Sequence, residues 1–110
     1  MKILVLKGSA NAQGSSAMLA DAFTAGAQKV GHEVECIDVT RANVHPCLGC
    51  VRCGYEGPCA QHDGMSRIRE AILRSDMLVF ATPLYYYGFS SQLKIVIDRF
   101  CAFNPKLFRN

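Results

Sequence analysis

The apolar positions along the chain change period several times, and each change marks an element. Ile3-Leu4-Val5-Leu6 is an unbroken apolar run. That is the pattern of a parallel strand covered on both faces, so a first strand is predicted over residues 2–7. From Ser16 to about Val30, the residues Met18, Leu19, Ala22, Phe23, Ala25 and Gly26 recur at helical spacing. Ser15-Ser16 caps this helix and Gly31 stops it. Glu33 to Val39 alternates in part, with Val34, Cys36 and Val39 as its apolar members, and reads as a second strand nearer the sheet edge.

Thr40 to His62 keeps no period and is predicted to be a 23-residue loop, a length that marks function or mobility. Asp63 opens a second helix running to about Ser75, with Met65, Ile68, Ile72 and Leu73 inward. Met77 to Ala81 is a third buried strand, ended at Thr82-Pro83 because proline cannot donate to a ladder. Residues 84–90 form a loop. Ser91 caps a third helix to about Phe100, with Leu93, Val96, Ile97 and Phe100 on one face. Ala102 to Asn110 carries no clear element.

Strand and helix alternate three times, which predicts right-handed crossovers and a parallel sheet in an α/β domain. Three loops then meet at the carboxyl end of the sheet: Gly8–Ser16, the long cysteine-bearing loop and Pro83–Ser90. Open α/β sheets bind ligands there. At 110 residues the chain is one domain at most. Half of the residues are apolar and 19% are charged, a globular composition. The net charge of +3 is too small to imply a nucleic-acid partner, and Lys94, Arg99, Lys106 and Arg109 read as a scattered, solvated face. No stretch is apolar enough for a membrane span, and the N-terminus does not read as a signal peptide. A cytoplasmic location follows as the expectation. There, six cysteines are thiols, metal ligands or redox groups rather than a disulfide framework.

The first loop, Gly8-Ser9-Ala10-Asn11-Ala12-Gln13-Gly14-Ser15-Ser16, is neither a dinucleotide fingerprint nor a Walker loop. It sets hydroxyls, amides and glycines at a helix N-terminus, which suits a phosphate monoester; a plain capped turn is the alternative. The third loop, Pro83-Leu84-Tyr85-Tyr86-Tyr87-Gly88-Phe89, suits a planar ring ligand, with aromatic packing at a subunit contact as the alternative. In the long loop Cys47-x2-Cys50-x2-Cys53-x5-Cys59 begins like the cysteine run of ferredoxins. Zinc, or four unligated thiols with a redox-labile disulfide among them, are the competing readings. Cys36 and Cys101 read as small apolar packers. His32 reads as solvated, and His45 and His62 as surface residues able to supplement a metal site. No Ser-His-Asp or paired-carboxylate arrangement supports hydrolysis.

Taken together and in order, GS(x)4GSS, C-x2-C-x2-C-x5-C and PLYYYGFSSQLKIVIDRF resemble the NADPH-dependent FMN reductases of the flavodoxin-like superfamily, in particular their iron–sulfur flavoprotein branch. The resemblance covers the chain to about Phe103. It implies a three-layer α/β/α fold with a parallel sheet, here incomplete at about three of five strands, since the family continues past the third helix. A single flavodoxin-like FMN-binding domain over residues 1–110, shortened at its C-terminus, is thus expected, with the third strand at a sheet edge; either the sequence is a truncated product or a partner chain covers that edge.

By position, the resemblance implies that Ser9, Asn11, Ser15 and Ser16 hold the FMN phosphate. The isoalloxazine would rest on Pro83, Leu84, Tyr85, Tyr86 and Gly88. Cys47, Cys50, Cys53 and Cys59 would carry a 4Fe–4S cluster in the iron–sulfur branch. Ala10 and Asn11 replace the proline and basic residue usual in the family, which weakens phosphate binding. The implied function is passage of electrons from NAD(P)H through flavin to a quinone or another small-molecule or protein acceptor, in a homo-oligomer and with no side chain acting as acid or base. A non-enzymatic flavin or iron–sulfur electron carrier, or a four-cysteine metal-binding module, is the rival.

Overall fold

In a computed structural model, residues 1–50, 52–54 and 58–107 are described. Three strands, β1 (Lys2–Lys7), β2 (Glu33–Asp38) and β3 (Met77–Ala81), form one parallel sheet in the order β2-β1-β3. Helices α1 (Ser15–Lys29), α2 (Met65–Arg74) and α3 (Ser91–Asp98) follow them in turn, and a single turn, α4 (Asn104–Leu107), lies where no element was expected. Short 3-10 turns occupy Val39–Arg41, Arg52–Gly54 and Arg99–Phe103. The predicted class and the parallel sheet are observed, and both β2 and β3 are edges. None of the described helices is long and apolar enough to cross a membrane.

β1 is central because its unbroken apolar run serves two faces at once. Leu4 and Leu6 point into a core with Ile37, Val39, Met65, Ile68, Ile72, Leu93, Val96 and Phe103. Ile3 and Val5, on the alternate face, meet Ala20, with Ala27, Val34, Val79 and Ala81 packed around them. In register, Val5 sits between Cys36 and Val79.

The face beneath α1 is thin, and here the expectation is corrected. The helix turns Ala17, Ala20, Thr24 and Ala27 toward the sheet, whereas Met18 and Leu19 are 67% and 71% exposed and Phe23 is also exposed. Small side chains at three- and four-residue spacing let the helix approach the strands closely, so the larger apolar residues fall on the outside.

Four smaller corrections concern helix ends and the inward face of α2. Helix α1 begins at Ser15 behind an N-cap Gly14, so neither serine caps it. Ser90 rather than Ser91 caps α3, its buried Oγ accepting from Leu93 N at 3.3 Å. α3 gives way at Arg99 to a tighter 3-10 turn, which rotates the buried stripe onto Arg99 and Phe103 and leaves Ile97 and Phe100 half-buried. In α2 Ala71 is inward and Leu73 exposed. As expected, Asp63 opens α2: its Oδ1 accepts from Met65 N at 3.1 Å.

Candidate functional site

The carboxyl ends of all three strands meet in one small depression walled by Lys7, Ser9, Ala12, Ser16, Ala17, Asp38 and Ala81. Its volume, about 20 Å³, has room for about one water molecule. The first loop is held from within. Asn11 N donates to Ser9 Oγ at 3.2 Å, Gln13 N to Asn11 Oδ1 at 3.1 Å, and Gly14 N to Asn11 O at 3.1 Å. Gly14 supplies no side-chain acceptor at the N-cap of α1, so the first-turn N–H groups of a 15-residue helix face this loop beside the hydroxyls of Ser15 and Ser16. Asp38, which sequence reading did not place here, is held by Thr40 N at 3.0 Å and by the Thr40 hydroxyl.

The first and third loops are joined at Gly8. Its N–H donates to Ala81 O at 2.8 Å, and a Cβ there would lie 2.8 Å from Ser90 Oγ and 3.0 Å from Leu93 Cβ. Beyond Pro83 the chain makes a two-residue turn. Tyr85 N donates to Gly88 O at 2.7 Å, and Gly88 N donates back to Tyr85 O at 3.1 Å. The central residues, Tyr86 and Tyr87, have φ of 44° and 68°, as a turn with both central residues left-handed requires. Bulky side chains in that region are strained. Their rings meet edge-on with centroids 5.4 Å apart and are 96% and 91% exposed. A shallow groove beside the turn is lined by Tyr85, Gly88, Phe89, Ser91, Lys94 and Ile95. Ser9, Asn11, Ser15 and Ser16 thus stand at the same sheet end as Pro83, Leu84, Tyr85, Tyr86 and Gly88, but Ser9 and Ser16 line one depression and Tyr85 and Gly88 another, while Asn11, Ser15, Pro83, Leu84 and Tyr86 line neither.

The four motif cysteines do share a cavity. Cys47, Cys50, Cys53 and Cys59 line a space of about 360 Å³ together with Arg52, Arg99 and Cys101. Two residues there overturn the sequence reading. Arg99, expected on a solvated face, is buried, and its guanidinium pairs with Asp63 at 2.8 Å, each side chain only 2% exposed. A charge this deep is tolerable because it is paired. Arg99 Nη1 also donates to His45 O at 2.9 Å, and Nη2 to Cys59 Sγ at 3.4 Å. Its Nε is buried without a partner among the described residues. Burial pushes the Asp63 carboxyl upward, but the hydrogen bonds from Arg99, His45 N and Met65 N, with the guanidinium charge, outweigh it and hold its pKa at about 2. Asp63 in turn raises the pKa of Arg99.

Cys101, expected as an apolar packer, is exposed, with its Sγ 3.9 Å from Cys47 Sγ. Desolvation and then the neighbouring thiols of Cys47 and Cys53 push its pKa up to about 11. Cys36 is likewise exposed, with its Sγ 3.4 Å from Thr24 Oγ1. His45 and His62 are exposed, while His32 is half-buried and its Nδ1 meets the terminal amine at 3.1 Å. Arg109 lies outside the described residues. The one signal that could have found Arg99 is its place three residues after Val96, within an apolar helical stripe.

The thiols are suited to a soft metal or a cluster, and N–H groups from Arg99, Gly49 and Gln61 point at cysteine sulfurs, as around ligated thiolates. No three of the described His, Cys, Asp or Glu side chains converge as a coordinating set. The donor chemistry fits such a group, and the thiols would have to draw together around it.

A family model described as NADPH-dependent FMN reductase matches residues 1–110. Among curated relatives, an iron–sulfur flavoprotein of Archaeoglobus fulgidus is 30% identical over 106 residues, covering 96% of this chain and 48% of its own. One of Methanocaldococcus jannaschii is 33% identical over 100 residues, covering 90% and 51%. The chain therefore spans about half the length of these relatives. A solved flavone reductase superposes with a TM-score of 0.70 at 25% identity, covering 91% of this chain and 30% of its own.

Proposed function

The chain belongs to the NADPH-dependent FMN reductase family, and from that membership we propose that residues 1–110 are a flavodoxin-like FMN-binding domain. It serves a cytoplasmic oxidoreductase that moves electrons from NAD(P)H to a quinone or another small-molecule or protein acceptor. The observation that carries this reading is the junction at Gly8. It joins the start of the serine-rich loop to the end of β3 and the cap of α3, which bracket the tyrosine loop, and this supports reading the first loop as the phosphate end and the third as the ring end.

In this reading Ser9, Asn11, Ser15 and Ser16 bind the phosphate, with the first-turn N–H groups of α1 supplying the charge complement that a missing cation does not. Pro83, Leu84, Tyr85, Tyr86 and Gly88 orient the ring, and the bonded Tyr85–Gly88 pair keeps that platform rigid. The depression would have to widen to admit the phosphate, since it has room for about one water. Bound flavin supplies hydride acceptance from the nicotinamide. The chain's own part is placement and exclusion of water, with no side chain acting as acid or base. Exposed Leu19 and Phe23 favour a homo-oligomer.

A second reading rests on the thiol cavity. Cys47, Cys50, Cys53 and Cys59 would hold a 4Fe–4S cluster or another thiophilic metal, in an electron carrier or metal-binding module; the names of the archaeal relatives support the cluster. Anaerobic purification followed by a visible spectrum and FMN titration tests both. The expected result is flavin uptake, followed by NAD(P)H oxidation when a quinone is added. Protein that takes up no FMN overturns the first reading. Bound flavin without turnover favours the carrier.

A further inference from the structure

The cysteine cavity contains one thiol more than its motif. We infer that Cys101 closes a reversible disulfide with Cys47, which withdraws Cys47 from the four-cysteine set. Only the second half of this inference rests on the metal-site reading above.

The two residues are 54 apart in sequence, yet their sulfurs lie 3.9 Å from one another. Joining them needs a closing movement of about 2 Å to reach bonding distance, within reach of side-chain rotation. Their proximity is built, because the guanidinium of Arg99, on the turn that carries Cys101, bonds the backbone beside Cys47. Cys101 follows Arg99 by two residues on the 3-10 turn Arg99–Phe103, anchored by buried Phe103. Cys47 follows His45 by two residues, and that segment is fixed at three points. His45 O accepts from Arg99 Nη1 at 2.9 Å, His45 N donates to Asp63 Oδ2 at 2.9 Å, and Pro46 O accepts from Gln61 Nε2 at 3.0 Å. Cys101 is exposed and Cys47 half-buried, so a small oxidant reaches the pair from solvent.

A low-molecular-weight disulfide is a sufficient oxidant. One cysteine thiolate attacks it, forming a mixed disulfide and releasing one small thiol. The second cysteine then attacks the protein sulfur and releases the other. The pair loses two electrons and two protons, which leave on the two small thiols. Cys36, on β2, has no thiol partner among the described residues and serves as an internal control.

The test treats reduced, metal-free chain with oxidised glutathione, alkylates the remaining thiols and digests with trypsin. Peptides 42–52, carrying Cys47 and Cys50, and 100–106, carrying Cys101, are expected as one cross-linked species. The link should persist in Cys50→Ser and vanish in Cys47→Ser. Recovery of Cys101 in alkylated form, or its linkage to Cys50 or to peptide 53–67, overturns the disulfide. Titration with Zn²⁺ reads the second half: the oxidised chain should bind at least about tenfold more weakly than the reduced chain, a difference of about 1.4 kcal/mol. Equal affinity overturns the withdrawal. A reduced chain that binds no Zn²⁺ overturns it together with the metal-site reading, while the linkage map still decides the disulfide.

Discussion

Asp63 touches three parts of the molecule at once: its own helix through Met65 N, the long loop through His45 N, and the turn after α3 through Arg99. Removing one charge of such a buried pair leaves the other uncompensated, so Asp63→Asn is expected to cost about 3–5 kcal/mol in urea unfolding. Its pH dependence has a definite sign. The folded pKa of about 2 lies below the ordinary 3.8, so the unfolded chain binds the extra proton between them. The stabilisation is complete above the higher value and lost as pH falls through the lower, a span of about 2 kcal/mol. Asp63→Asn should flatten the stability profile between those two values; an unchanged acid limb would refute the assignment. Beside it, Gly64 donates its N–H to Asn43 O at 3.0 Å, and a Cβ on it would overlap the Ala42 carbonyl oxygen. Gly64→Ala should therefore destabilise by about 3 kcal/mol, because the obstacle is backbone and cannot rotate away.

Among the elements, the tyrosine turn conflicts most with local preference. Two bulky residues occupy left-handed positions that asparagine and glycine fill at less cost. The double variant Tyr86→Asn, Tyr87→Gly should raise the free energy of unfolding by about 1 kcal/mol. If Tyr86 contacts the ring as proposed, the same variant weakens FMN binding in a fluorescence titration. A gain in stability with unchanged FMN affinity would separate the strain from the binding role. Helix α1 shows the opposite compromise: its alanine stripe buys close approach to the sheet and leaves Met18, Leu19 and Phe23 outside.

For the whole molecule, the consequence is an asymmetric sandwich, with a substantial core under α2 and α3 and a thin one under α1. The exposed apolar stripe of α1, with Met77 and Phe80 half-exposed on the edge strand β3, is the surface that the proposed homo-oligomer would bury. Leu19→Lys should reduce concentration-dependent self-association in sedimentation, with stability changed by less than about 0.5 kcal/mol. Unchanged sedimentation behaviour would refute a contact through α1.

Sequence by itself determined the three strands, the three main helices and their order. The run Ile3–Leu6 announced a strand with two covered faces, Asp63 announced a helix start, and the cysteine spacing marked the long loop as a candidate metal or redox site. Each is a local pattern, written in consecutive side chains and backbone hydrogen bonds. Tertiary structure decided which side of α1 faces the sheet, since that depends on how near the helix can come. It also decided that Arg99 is buried against Asp63, 36 residues away, and that Cys101 joins the thiols. Those contacts join segments whose mutual distance no local period encodes; packing the long loop against the turn after α3 creates them.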